Sequence, residues 1–276
     1  MSVKNILVPV DFSECSVRAL RTAAEFAYYW DAQLTILHAT HIPATYFAYG
    51  EPALEVSYEE LDDEVATAFT QLENEVPMLG TLHYKKVEKI SGFIDAVRNT
   101  VEQEEIDFIV MGTNRQHDRI ETLFGTHSSD VIKNVEIPVL VLPEGSSAME
   151  INNIAIGVDA RSFSDINKLD VIFKIAKNEF SELHLFYVSK NHDTIDFNNS
   201  IYKDIFEDQY PAGSCHYENI KAEDPVEGIK AFVKEKKIDM LVLFPRQHDF
   251  LERLIKGSVT QKLALEAETP ILSVPH

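Results

Sequence analysis

Short runs of consecutive apolar residues alternate along this chain with longer stretches in which apolar positions recur every three or four residues. Ile6–Val10 is the first run. It reads as a strand covered on both faces, because a strand inside a parallel sheet has no solvent side to keep polar. Ser13 follows, a residue type that accepts from the free N–H groups of a helix start, and the pattern predicts a helix from there through Trp30. Gln33–Ala39 predicts a second strand and roughly 58–76 a second helix. A third strand is expected near 82–88 and a third helix over about 92–104, where Ile94, Val97 and Val101 form a stripe at helical spacing. Asp107–Met111 reads as the fourth strand, Thr126–Asn134 as a helix and Val139–Leu142 as the last strand. The pattern then begins again, with strands expected near 153–158, 182–188, 215–220, 239–244 and 271–274.

The second half is a copy of the first. IPVLVLP at 137–143 recurs as TPILSVPH at 269–276, which places Pro138 over Pro270 and Pro143 over Pro275. The same offset places Ile106-Asp107 over Ile238-Asp239, Gly125 over Gly257, and the Ile94, Val97, Val101 stripe over Val226, Ile229 and Val233. ILVPVD at 6–11 matches IAIGVD at 154–159 at a slightly larger offset, so the first copy carries about 16 extra residues, placed within 41–60. Two domains are expected, 1–146 and 150–276. Strands alternating with helices predict an α/β fold of two tandem Rossmann-like domains, each an open five-stranded parallel sheet with helices on both faces. Ligands of such sheets sit at the carboxyl ends of the strands, which directs attention to the residues after strands one, two and four.

Charge narrows the partners. There are 45 acidic side chains against 25 basic ones and a formal net charge of −20, the wrong sign for neutralising nucleic-acid phosphates or docking on anionic lipid. No apolar run approaches a membrane span, and the start of the chain lacks the pattern of a signal peptide. Two cysteines, Cys15 and Cys215, imply no disulfide framework and suit a reducing cytoplasm. A small phosphorylated ligand remains open, because backbone amides at a helix start bind phosphate without net positive charge.

The candidate site lies in the first copy. Pro9-Val10-Asp11 closes strand one with a carboxylate, which accepts hydrogen bonds from an adenine amino group or a ribose hydroxyl. Met111-Gly112 closes strand four, and glycine there lets backbone approach a ligand. Gly125-Thr126-His127-Ser128 then opens a helix, offering free N–H groups and hydroxyls to a phosphate. No phosphate loop with a terminal Lys-Ser/Thr, no G-x-G-x-x-G after strand one and no G-x-S-x-G elbow is present, so the residues nominate no catalytic group.

In these features the chain resembles the universal stress protein family, whose members carry a strand-one Asp and a loop of form G-x2-G-x9-G-[S/T] after strand four. Here Gly112 and Gly125-Thr126 keep that spacing, with Arg115 in place of the second glycine. The resemblance covers both copies, including the Pro-led last strand. It implies that Asp11 and Val10 contact the adenosine of ATP or another adenine nucleotide, and Met111 and Gly112 its adenine–ribose region. Pro9 and Ala39, at the ends of strands one and two, join that set. Gly125, Thr126, His127 and Ser128 would hold the phosphates. Arg115 either narrows the loop or replaces lost amide contacts with its guanidinium.

In the second copy Asp159 and Gly257-Ser258 survive, but Phe244 stands where Gly112 does and Pro245 follows, so a degenerate site is expected. His38 and His41 lack further ligands at metal spacing, and no metal site is predicted. Residues 41–58, with Tyr46, Phe47, Tyr49 and Tyr58, read as a loop packed on the domain or as a lid. RQHD at 115–118 and 246–249 reads as a shared local conformation. The expectation is a cytoplasmic nucleotide-binding signalling protein, with a nucleotide-free scaffold or a slow ATPase as alternatives. Family members dimerise through the last strand. By that resemblance Val139–Leu142 and Ile271–Val274 would pair within the chain as a pseudo-dimer, with a homodimer also open.

Overall fold

A computed structural model describes residues 3–40, 53–113, 126–146, 150–158, 169–189, 194–211, 214–244 and 269–275, with the side chains of 53–61 and of Thr126 left aside. The chain divides into two compact units, Lys4–Met111, and Gly112–His276 together with Met1–Val3.

In the first unit the elements run β1 (Asn5–Pro9), α1 (Glu14–Trp30), β2 (Gln33–Thr40), α2 (Ala53–Glu75), a short 3-10 helix (Pro77–Thr81), β3 (Tyr84–Ile90), α3 (Phe93–Gln103) and β4 (Phe108–Thr113). The strands are ordered β3-β2-β1-β4 and pair in parallel throughout. Ile6, Leu7 and Val8 of β1 are wholly buried, as an inner strand requires. The connections through α1 and α2 step away from β1, whereas the connection through α3 returns across β2 and β1 to β4. Right-handed crossovers in opposite directions place these helices on opposite faces. Ser13 caps α1 with its Oγ, which accepts from Ser16 N at 3.3 Å. Ala19, Ala23, Ala24 and Ala27 bury the inner side of α1, and their small side chains let it lie close to the sheet. The second helix starts at Ala53 rather than near 58, so the segment read as loop or lid is helical in its latter part. Tyr46, Phe47, Tyr49 and both RQHD segments lie outside the described residues, as do His41 and the residues between Thr113 and Thr126. Pro77, which has no N–H to donate, marks the change from α2 to the 3-10 turn that buries Leu79.

The second unit holds α4 (Thr126–Asn134), β5 (Val139–Pro143), β6 (Asn153–Gly157), α5 (Asp170–Glu179), β7 (Glu182–Ser189), a 3-10 turn (Phe197–Asn199), α6 (Ile201–Gln209), β8 (Cys215–Lys221), α7 (Pro225–Glu235), β9 (Met240–Leu243) and β10 (Ile271–Ser273). Five parallel strands are ordered β10-β9-β6-β7-β8. On the outer side of β10 lies β5, antiparallel, with Ile271 opposite Val141, Leu272 opposite Leu140 and Ser273 opposite Val139. This is the last-strand pairing that the resemblance implied. Among the described residues no helix is long and apolar enough to cross a membrane.

The repeated Ile-Asp pair has a structural reason. Asp107 accepts from the amides of Lys4 at 2.9 Å and Asn5 at 3.2 Å, just where β1 begins. Asp239 accepts from Asn152 at 2.9 Å and Asn153 at 2.8 Å at the start of β6. Each carboxylate satisfies strand-leading N–H groups that the ladder leaves open.

Gly228 in α7 sets a close approach. A Cβ there would lie 2.6 Å from the Cβ of Ala222, an atom that backbone holds in place, and 3.4 Å from Val188 Cγ1. Gly228→Ala is expected to destabilise this unit by about 1–2 kcal/mol, because the overpacking outweighs the better helix propensity of alanine. Urea unfolding reads the change, and adding Ala222→Gly should restore most of it. A neutral Gly228→Ala would mean the helix shifts freely.

Candidate functional site

The carboxyl edge of β1 is built by a sharp local turn. Asp11 Oδ1 accepts from the Ser13 amide at 3.1 Å and from the Ser13 hydroxyl at 2.6 Å, closing an Asx turn over Phe12. Phe12 is thereby held at φ +62°, a left-handed conformation costing a bulky residue about 1–2 kcal/mol. Its ring packs against His38 (centroids 4.7 Å apart) and edge-on to Phe69 (5.3 Å), contacts that help hold the turn. Loss of water around the Asp11 carboxyl is the largest single influence on its pKa and pushes it up. The Ser13 hydroxyl and amide, then the Ser16 hydroxyl, outweigh it, so the pKa falls below its ordinary value. Asp11 is exposed and ionised at neutral pH, and among the described residues no donor reaches Oδ2.

The other predicted residues of this unit reach the same edge. Val10 donates to Leu37 O at 2.8 Å, which ties the end of β1 to β2 just before His38 and Ala39. His38 Nδ1 lies 2.9 Å from Val10 O. A carbonyl only accepts, so Nδ1 carries the proton and Nε2 holds the lone pair when the ring is neutral. Ala39 is half-buried, and Pro9, Val10 and Met111 are buried. The parallel register of Leu7 with Ile109 carries Pro9 and Met111 to one end of the sheet. Pro9, Val10, Asp11, Ala39 and Met111 therefore converge.

In the other unit Gly112 is half-buried at the end of β4, and Thr126 opens α4. His127 is exposed, while Ser128 and Ser129 are buried. Arg115 and Gly125 lie outside the described residues. Sequence reasoning took Ser13 only as a helix cap and His38 only as a weak metal candidate. Both are parts of the Asp11 turn, and the D-x-S triplet was the signal available for Ser13.

The second copy departs from this pattern at the end of its first strand, a place its sequence had not singled out. Val158 repeats the Val10 bond by donating to Phe186 O at 2.9 Å. Gly157 stands in the place of Pro9 and Phe186 in that of Leu37; a Cβ on Gly157 would lie 3.2 Å from Phe186 Cζ, so the ring fills that space. Phe244 is half-buried just after β9, and Asp159, Pro245, Gly257 and Ser258 lie outside the described residues.

The sequence model of the universal stress protein family matches residues 2–143 and again 150–275. The chain belongs to the universal stress protein family. It is similar to Universal stress protein MJ0531 of Methanocaldococcus jannaschii, 26% identical over 140 residues, which cover 50% of this chain and 81% of that protein. Universal stress protein MJ0577 of the same organism is 27% identical over 157 residues, 52% of this chain and 97% of the relative. Each thus aligns with about half of this chain. A universal stress protein from Archaeoglobus fulgidus superposes over 100% of this chain and 99% of its own, with a TM-score of 0.72 at 16% identity. That likeness establishes a shared tandem fold for this universal stress protein.

Proposed function

We propose that the first copy, taken as 1–146, binds ATP or a related adenine nucleotide and signals its presence in the cytoplasm, while the second, 150–276, serves a structural role. One observation carries this reading. Asp11 presents an ionised carboxylate at the carboxyl edge of the sheet, with Oδ1 held by Ser13 and Oδ2 left to accept. An acceptor-only group fixed in that place suits an adenine amino group or a ribose hydroxyl. Pro9, Val10, Ala39 and Met111 supply the apolar wall around a purine and Gly112 the close backbone approach. Arg115, Gly125, Thr126, His127 and Ser128 are assigned the phosphates, on the spacing of the family motif. Nothing in the described residues supplies a paired nucleophile and base, so binding rather than turnover is the proposed activity.

Mass spectrometry of small molecules released from the purified protein, followed by calorimetric titration of ATP into the emptied protein, tests this. One nucleotide per chain is expected. Asp11→Ala should weaken binding about 10–100-fold, the loss of one charge-assisted hydrogen bond of roughly 1.5–3 kcal/mol. Absence of binding, or binding indifferent to Asp11→Ala, would overturn the assignment and favour a scaffold acting through protein contacts.

A further inference from the structure

We propose that Glu182, His184 and His216 form a binding site for a divalent transition-metal ion of the zinc type at the amino ends of β7 and β8. His184 and His216 are direct partners in the parallel register of these strands, and their rings stack with centroids 4.7 Å apart and planes 21° from parallel. Glu182 precedes His184 by two positions and therefore shares its face of the sheet. Its Oε2 lies 3.3 Å from His216 Nε2 and 4.0 Å from His184 Nε2. One ligand atom from each of the three lies within 4.8 Å of the other two. Zinc–ligand bonds of about 2.0–2.2 Å in a tetrahedral site put neighbouring ligand atoms about 3.3–3.6 Å apart. The Glu182–His216 edge already has that length; turning the exposed Glu182 side chain shortens its edge to His184, and turning the exposed His216 ring shortens the edge between the two histidines.

The donor set selects the ion. Two imidazoles and one carboxylate suit zinc and its first-row neighbours, whereas calcium and magnesium favour oxygen ligands throughout. The side chains of His216 and Glu182 are 45% and 54% exposed, which leaves an entry path and room for water to complete the coordination.

His184 is the buried member of the set. It is only 7% exposed, and among the described residues its Nδ1 has no hydrogen-bond partner. Its Nε2 lies 3.3 Å from Asn153 Oδ1. Nε2 is also the ring nitrogen that faces Glu182, so as a metal ligand it gives up the Asn153 contact and the neutral ring carries its proton on Nδ1. The fold itself does not require these residues. By strand register the equivalent positions of the first copy are Gln33, Thr35 and Lys85, and Lys85 is paired with Glu104 at 2.6 Å. β8 ends the strand order of its unit, so an ion shared between β7 and β8 would clip an edge strand to the sheet.

The experiment uses the full chain, stripped with a chelator, and titrates Zn2+ against a chromogenic competitor, with Co2+ as a visible-absorption probe. One equivalent per chain is expected, with Co2+ bands of a site below six-coordination and a melting temperature that rises with Zn2+, since an ion held by the folded state alone stabilises it. His216→Gln and Glu182→Gln, both at exposed positions where the fold tolerates change, should each weaken binding by at least about tenfold and remove most of the Zn2+-dependent rise. His83→Gln, an exposed histidine of the first copy, should change neither. Absence of stoichiometric binding, or binding that survives both substitutions, would overturn the proposal.

Discussion

Phe108→Ala is expected to destabilise the Lys4–Met111 unit by about 3–5 kcal/mol, the usual range for deleting a fully buried aromatic ring. Phe108 opens β4 and is wholly buried. Its ring lies 6.2 Å from Phe26 and 5.8 Å from Trp30, and those two rings stack on each other at 4.5 Å. The three aromatics fasten α1 to β4, the helix and strand whose opposite ends carry Ser13 and Met111. Backbone on both sides of the cluster belongs to regular elements, so the vacated volume collapses little and the cavity cost adds to the lost burial. Domains are stable by roughly 5–15 kcal/mol, so such a loss leaves the unit marginal. Trp30 is the single tryptophan of the chain, and its fluorescence during denaturant unfolding reports on this cluster directly. Phe108→Leu should cost much less. A change below 1 kcal/mol for Phe108→Ala, well under the range for such a deletion, would show that the aromatic cluster is not what joins helix to strand.

Leu272→Asp should be comparably severe in the other unit. Leu272 is wholly buried and sits between Leu140 of β5 and Val242 of β9. A carboxylate there loses its water, and the flanking apolar side chains offer no cation and no donor. Burying such an unpaired charge costs about 3–5 kcal/mol. The expected result is loss of cooperative unfolding for Gly112–His276 by circular dichroism. Aggregation on size exclusion should accompany it, because release of β10 uncovers strand edges. Leu272→Met, close in volume, should cost less than about 1.5 kcal/mol. A soluble Leu272→Asp protein with an unchanged midpoint would refute the central place given to this strand.

The element sequence was legible because burial has a period that local residues record. The continuous apolar runs at Ile6–Val10 and Val139–Leu142 are strands, and the stripe of Ile94, Val97 and Val101 is a helix face. Where local signal was weak, the reading slipped. The second helix begins at Ala53, ahead of the expected start, and the 3-10 turn after it had not been anticipated. Asp11 could be nominated from its place after strand one. The D-x-S triplet hinted at its turn, but the positive φ of Phe12 could not be read, since it contradicts the preference of a bulky residue and is held with rings brought from β2 and α2.

The sequence alone determined the α/β class, the duplication, the family and the candidate carboxylate, all of which rest on periodicity and on residues close together along the chain. Only the tertiary structure decided which residues meet. It made Asp107 and Asp239 the caps of strands that begin far away in sequence, and filled the space over Gly157 with the ring of Phe186. It also set His184 against His216. The reason is the same in each case. Strand register and sheet order are fixed by the packing of the whole domain, and a one-residue slip in register would turn those side chains to the opposite face.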